Sequence, residues 1–516
     1  MNPAIAKRAA PLLALGKRVF ALLAPVLFAV FPAISLFEQN KTELALPVLW
    51  APLLISVVVA VVLHLIFLLI FKSGAKAGAL ASLCVVAFFY YGIVSEKIFG
   101  AGPSDGWQIA LWIALFVVCA IALVRTQVRL ENLTKILSVG AVVLTVFPAV
   151  NLTRYKLDNP SVSLTDSRLW SSPLAAPTAP SGATLPDIYF LIPDDYARPD
   201  VLKRYFKFND SEFLNQLKQR GFRISQDVRS PYSHSEMNIA STVNLDYLTG
   251  LGDILGSQSE DIASARRLIE SNRAAPLLES LGYQYTHIDS DEVTYEAGNP
   301  EISPVATTDS FMTIWMEDSI LGQFGGRFGF DASATDQRFR DAVIFAFGRL
   351  SDSTQQPGPK FVLFHTLLPH DPFVFQPNGQ PLSFTDVSGE DHTKKIGMPY
   401  YLKQLQFLNR ELLDAVDTIL ANSTTPPIIL IQADEGFESN EEDWGEAAVR
   451  DMRVKGLAAF LLPGKQNVAL PPRLNTVNTL RFVFNTYFKT GYPLLKNSSY
   501  PELDFPYQFE EKLHVR

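Results

Sequence analysis

The chain has 516 residues and a net charge of −8, and it is 48% hydrophobic with only 19% charged residues. It has no run of Lys or Arg, which excludes nucleic acid as a partner, because affinity for a phosphate backbone comes from clustered cations. The two cysteines, Cys84 and Cys119, both lie in apolar segments, so the remainder of the chain uses neither disulfide nor thiolate chemistry.

These averages hide a split. Up to Asn151 the sequence is almost unbrokenly apolar, and after Pro160 it reads as an ordinary globular sequence. A bilayer core is crossed by roughly 20 apolar helical residues. Five runs meet that requirement: Val19–Phe37, Pro47–Phe71, Ala79–Phe99, Trp107–Val124 and Ile136–Asn151. One such run could be a buried core helix, but five in succession separated by short polar loops predict a transmembrane bundle over residues 1–155. Lys7, Arg8, Lys17 and Arg18 precede the first run. Lys72 and Lys76 follow the second, and Arg125, Arg129 and Lys135 follow the fourth. The alternate loops, Glu38–Leu46 and Gly100–Gly106, carry only Lys41. Basic loops stay in the cytoplasm, so the N-terminus is expected there and the chain after the fifth span outside. The Glu96/Lys97 pair reads as an interfacial anchor, and His64 as a lone polar residue.

Residues 156–184 form the expected linker, dense in Ser, Thr and Ala, with Pro173, Pro177 and Pro180 favouring extended chain. Residues 185–516 are long enough for one large domain. Within it, Asp187–Pro193 predicts a strand ending at Asp194-Asp195. A helix follows over Asp210–Arg220, with Asn209 or Asp210 as N-cap and Gly221 as stop. A strand at Lys360–His365, a helix at Tyr400–Ala421 and a strand at Pro427–Ala433 come later. Apolar strands alternating with helices predict an α/β domain with a mostly parallel central sheet flanked by helices.

Three of these strands end in groups that bind cations or move protons: Asp194 and Asp195, then His365 and His370, then Asp434 and Glu435. Ligands of open α/β sheets bind beyond the carboxyl ends of the strands. Asp after a strand is also a common turn former, and His370 could be an ordinary loop residue. Three clusters at three strand ends nevertheless point to one metal-dependent site, because carboxylate oxygen and imidazole nitrogen suit divalent cations.

The segments PDIYFLIPDDY (186–196), SPYSHSEMNIASTVNLDYL (230–248), HTLLPHDPF (365–373) and IILIQADEG (428–436) together resemble the alkaline phosphatase/sulfatase superfamily. The likeness is greatest to its membrane-anchored bacterial branch of lipoteichoic acid synthases and phosphoethanolamine transferases. The resemblance implies an alkaline-phosphatase-like domain behind the five-helix anchor, in the bacterial inner membrane with the domain periplasmic or extracellular. It implies Asp194, Asp195, Asp434 and Glu435 as ligands of a divalent ion (Mn, Mg, Zn or Ca). It makes Ser235 at a helix start the nucleophile, with Ser233 as the alternative, and His370, His365 and His234 substrate contacts. Ser241 and Thr242 read as packing, and His287 and Asp289 as second-tier candidates.

Where the family has Asp-His-Gly, this chain has Asp434-Glu435-Gly436. Glu still supplies an oxygen ligand, but the change leaves open a decayed, non-catalytic binding module. The Cys/Ser-x-Pro-x-Arg signature of sulfatases is lacking at Ser230-Pro231, so phosphoryl chemistry is favoured over sulfate. The implied reaction moves a phospho-headgroup from a membrane lipid to an envelope glycan or lipid, with hydrolysis of phosphate or sulfate esters as the alternative.

Overall fold

The computed structural model describes residues 3–42, 44, 46–99, 106–159, 162–163, 165–171, 173–179, 182, 184–290, 306–317, 319–322, 332–382, 397–500, 505–509 and 512–513. The loop at 100–105, expected outside the membrane, and Pro180 of the linker lie outside these residues, as does the side chain of Glu96. The chain forms two compact units, residues 1–158 with 307–335, and residues 159–306 with 336–516.

The first unit is helical: α1 (Pro3–Gln39), α2 (Trp50–Phe71), α3 (Gly74–Phe89), α4 (Tyr91–Phe99), α5 (Gly106–Arg125) and α6 (Glu131–Asp158). Phe20–Gln39, Leu46–Phe71, Gly106–Arg125 and Glu131–Leu157 are each long and apolar enough to cross a membrane. The third expected span is a broken one, α3 and α4 meeting at 67°, and counting it gives five. The last helix runs past the expected end at Asn151 to Asp158. Trp50, Leu54 and Leu69 are exposed at 64%, 65% and 78%, and α5 buries no residue. Apolar surface of this extent on every side of a helix belongs in lipid.

Small residues let the helices close on one another. A Cβ at Gly78 would stand 2.2 Å from the Ala21 carbonyl oxygen. Ser138 and Thr145 of α6 donate across to the Phe20 and Leu27 carbonyls at 2.8 and 3.4 Å.

The second unit is built on β1 (Ile188–Asp194), α7 (Ser211–Gln219), β2 (Arg223–Ile224), α8 (Ser235–Val243), α9 (Ile262–Glu270) and β3 (Gln284–Asp289). Next in the chain is α10 (Ala306–Glu317), which packs in the helical unit: Trp315 stacks on Phe89 at 5.1 Å and Phe311 meets Phe37 edge-on. The second unit resumes at Asp336 within α11 (Ala332–Ser353), followed by β4 (Lys360–Pro369), α12 (Met398–Asn422), β5 (Ile428–Gln432), α13 (Glu446–Arg453), β6 (Ala458–Leu461) and α14 (Thr479–Phe488).

The sheet order is β2-β6-β5-β1-β4-β3. β3, β4, β1 and β5 run parallel, and β6 and β2 are antiparallel at one edge. Successive side chains of a strand point to opposite faces, and here both faces are covered. Tyr189, Leu191, Val362, Phe364, Ile429 and Ile431 enter one apolar core. Ile188, Phe190, Ile192, Leu363, Ile428 and Leu430 enter the other. That is why these strands read as continuous apolar runs rather than alternating ones.

The segment expected as a linker begins as the end of α6, to Asp158, and beyond it has no helix or strand up to β1 among the described residues but lies docked on this unit. Leu169 is buried in the second core. Ser171 bonds Asp246 through its amide and hydroxyl, and the Thr178 amide donates to the Phe488 carbonyl at 3.1 Å.

Candidate metal centre

The parallel strands all point their carboxyl ends one way, so the residues that close them share one end of the sheet. Asp194 is the last residue of β1, and a register shift between Pro193 and Asp194 sets it opposite Pro369 rather than in step. Asp195 follows with a left-handed φ of 57°, a conformation that Asp tolerates better than most residues. Asp434 and Glu435 come just after β5. Gly436 is obligatory, because a Cβ there would stand 2.0 Å from the Met452 carbonyl oxygen. Its amide donates to the Arg453 carbonyl at 2.7 Å. This close crossing of backbones is what carries Arg453, at the end of α13, to the site.

Ser235 opens α8, a nine-residue helix with His234 as an extended N-cap whose side chain makes no capping bond. The Ser235 hydroxyl lies 3.2 Å from Asp194 Oδ1 and 3.1 Å from Glu435 Oε1. Glu435 Oε2 receives Asn238 Nδ2 at 3.4 Å and Arg453 Nε at 3.2 Å. The Ser233 carbonyl accepts from Arg453, while the Ser241 and Thr242 hydroxyls donate back to the Asn238 carbonyl as packing residues do. His370 Nε2 stands 3.4 Å from Glu438 Oε2 and 4.0 Å from Asp195 Oδ2, and the Glu438 amide donates to that Asp195 oxygen. His365 sits between Asp289, 2.9 Å from its Nδ1, and Asp194, 4.0 Å from its Nε2.

Asp194, Asp195, Asp434 and Glu435 are each at most 3% exposed, and with Glu438 they make five carboxylates against the cations Arg453 and His370. Burial pushes Asp194 and Glu435 far above the ordinary carboxylate range, and neighbouring carboxylates add to it. Burial also raises Asp195, to about 6, against the pull of His370 and Arg453. Burial opposes the charge on His370, but bonds to Asp371 and Glu438 and the facing Asp195 and Asp194 lift its pKa well above that of a free imidazole. Held this way, the cluster keeps protons unless another cation replaces them.

Asp195 Oδ1 and Asp434 Oδ2 are buried with no hydrogen-bond partner among the described residues, an expensive state that a cation would relieve. Among the described residues, three sets bring one ligand atom from each member within 4.8 Å of the others: Asp194, Asp195 and Glu435; Asp194, His365 and Asp434; and Asp195, His370 and Glu438. The donor chemistry therefore fits a divalent cation.

Arg453 and Glu438 belong to no motif of the sequence analysis, and Asn238, although inside segment 230–248, was given no role there. Arg453 arrives only through the crossing at Gly436. Asn238 lies three residues into α8 and turns its amide to Glu435. Glu438 is the one with a visible signal, since it extends the acidic stretch after β5.

No family model matches this chain, and no curated protein matches its sequence. Solved structures with a similar fold include the C-terminal periplasmic domain of EptC from Escherichia coli, determined in complex with Zn. It is 12% identical with a TM-score of 0.40, over 66% of this chain and 92% of that one. The integral-membrane lipooligosaccharide phosphoethanolamine transferase A of Neisseria meningitidis is 10% identical with a TM-score of 0.34, over 92% and 95%. A protein of the alkaline phosphatase superfamily from Vibrio parahaemolyticus is 12% identical with a TM-score of 0.34, over 68% and 80%. Identities this low leave the reaction to be read from the site itself.

Proposed function

We propose that this chain is a membrane-anchored, metal-dependent phosphotransferase that moves a phospho-headgroup from a lipid donor to an envelope glycan or lipid through a Ser235-bound intermediate. In this reading residues 1–155 are the anchor in a bacterial inner membrane, with the N-terminus cytoplasmic. Residues 156–184 are the linker, and residues 185–516 are the catalytic domain on the periplasmic or outer side. The observation that carries it is the Ser235 hydroxyl, set at the start of α8 between Asp194 and Glu435. Asp194, Asp195, Asp434 and Glu435 would hold a divalent cation. Such an ion, when bound, lowers the pKa of a nearby hydroxyl and offsets charge on phosphoryl oxygens.

The chain's own residues supply the rest. Ser235 Oγ attacks the phosphorus of the donor phosphodiester and gives its proton to the facing carboxylate of Glu435. The phosphorus–oxygen bond to the diacylglycerol breaks, and His370, on the open side of the cluster, protonates the departing oxygen. The amides at the start of α8 and His234 face the phosphoryl oxygens as charge grows on them. An acceptor hydroxyl then gives its proton to His370 and attacks phosphorus, and the bond to Ser235 Oγ breaks as Glu435 returns the proton to it. The anchor keeps the site close to a lipid donor. Water in place of the acceptor would make the same site a phosphoester or sulfoester hydrolase. The ion pair of Glu435 with Arg453 favours a second reading, a non-catalytic binding module in which that pair stands where a metal would be held.

The test uses the full chain in detergent with fluorescent phosphatidylethanolamine or phosphatidylglycerol and each of Mn, Zn, Mg and Ca. Labelled diacylglycerol should be released, and intact-mass measurement should find a headgroup phosphate on the wild type that Ser235→Ala lacks. Release that does not increase when a glycan acceptor is supplied would assign hydrolysis. No release and no adduct with any metal would leave the binding module.

A further inference from the structure

Behind the carboxylates of the site lies a second row of ionisable side chains, buried except at its far end, that the proposed reaction does not use. Asp289 ends β3, and His365 is its register partner on the neighbouring parallel strand β4, so both side chains leave the same face of the sheet. His365 Nδ1 lies 2.9 and 3.1 Å from the two carboxylate oxygens of Asp289. A carboxylate oxygen accepts, so His365 Nδ1 is the donor of this pair and the ring turns Nε2, the nitrogen left to bind a metal, to the other side.

On that side Asp194 Oδ2 lies 4.0 Å away. This is too long for a hydrogen bond but near the roughly 3.3–3.5 Å that separates two ligands of one tetrahedral ion. Asp434, whose buried Oδ2 has no hydrogen-bond partner among the described residues, completes a set whose ligand atoms all lie within 4.8 Å of one another. Behind Asp289, His287 places Nε2 3.5 Å from its carboxylate and Nδ1 3.2 Å from Glu270. All of these except Glu270 are at most 5% exposed.

We propose that His365, with Asp194 and Asp434, is a ligand of the divalent cation, and that Asp289, backed by His287 and Glu270, is a positioning residue holding the ring with Nε2 toward that ion. The inference rests on the metal-dependent reading above and gives His365 a role other than the substrate contact expected from the sequence. Second-row carboxylates of this kind orient ligating imidazoles, and their loss costs about 10–100-fold in metal affinity.

The test is zinc K-edge X-ray absorption on the full chain in detergent, together with zinc affinity by competition. Zinc-loaded wild type should show imidazole scattering, His365→Gln should lose one ring of it, and Asp289→Asn should bind zinc about 10–100-fold more weakly with an unchanged melting temperature. Should Asp289→Asn fail to fold, the ring count in His365→Gln decides. Equal imidazole scattering in wild type and His365→Gln, with zinc still bound, would overturn the proposal and leave the metal reading intact. Affinity of a folded Asp289→Asn within twofold of wild type would overturn the positioning role. Wild type that holds no zinc, indistinguishable from Asp434→Ala, would remove the metal reading and this proposal with it.

Discussion

Ser235 has one hydroxyl proton and two carboxylate oxygens within reach, Glu435 Oε1 and Asp194 Oδ1. A hydroxyl donates only once, so the second contact needs a proton or a cation to be favourable. Ser235→Ala removes the donor and leaves every carboxylate in place. Zinc or manganese should therefore still raise the melting temperature of the variant, while the covalent headgroup adduct disappears. A ligand at 100 times its dissociation constant stabilises by about 2.7 kcal/mol, which a thermal melt resolves. Loss of that response in Ser235→Ala would make the serine chiefly a ligand. Asp194 and Asp434 were legible in the sequence because each follows an apolar run of strand length, whereas Ser235 was reached only through the superfamily resemblance. Arg453 was not legible, because only the backbone crossing over Gly436 brings it to the site.

Asp210 shows how an element can match its sequence signal and use it differently. It stands at the N-cap of α7 as expected, yet its side chain makes no cap bond. It joins a buried ring instead. The Tyr196 hydroxyl lies 2.9 Å from Asp210 Oδ2 and 2.6 Å from Asn409 Oδ1, and Asn409 Nδ2 donates to Asp210 Oδ1 at 2.8 Å. A protonated Asp210 donating to Tyr196, Tyr196 donating to Asn409 and Asn409 donating back satisfies every group. Burial raises Asp210 to about 7, in keeping with that ring.

The folded state thus retains a proton that the unfolded chain loses at a pH of about 4. The contribution of this group to stability is complete below about pH 4, falls as pH rises toward 7 and is level above it. The loss is on the order of 2–4 kcal/mol. Asp210→Asn can make the same ring without titrating, so its melting temperature should change less than that of wild type between pH 4 and 7. Parallel profiles would show that Asp210 is ionised throughout. At this scale the sequence placed α7, α12, β1, β4 and β5 to within a few residues, because each is a long periodic or apolar run. The antiparallel strands β2 and β6 and the bend between α3 and α4 escaped it, since short edge pairing and a helix break leave little periodic signal.

For the whole molecule, the basic residues of alternate loops give the expectation of a cytoplasmic N-terminus and an external second unit. Arg473 has a side chain 57% exposed on that unit. In a chain whose Cys84 and Cys119 are replaced by Ser, Arg473→Cys should react with a membrane-impermeant maleimide in intact spheroplasts. Labelling only after permeabilisation would put the domain in the cytoplasm and remove the envelope acceptor from the proposed reaction.

The sequence by itself determined the membrane anchor, the α/β class and the strand ends that carry carboxylates and imidazoles. Those follow from hydrophobic runs and local chain chemistry, which are one-dimensional properties. Tertiary structure alone decided that Asp289 backs His365, that Arg453 meets Glu435, that residues 307–317 pack with the helical unit, and that the linker lies docked along Asp246 and Phe488. These pairings join residues far apart in the chain, and sheet register and backbone crossings set them rather than any local preference of the residues themselves.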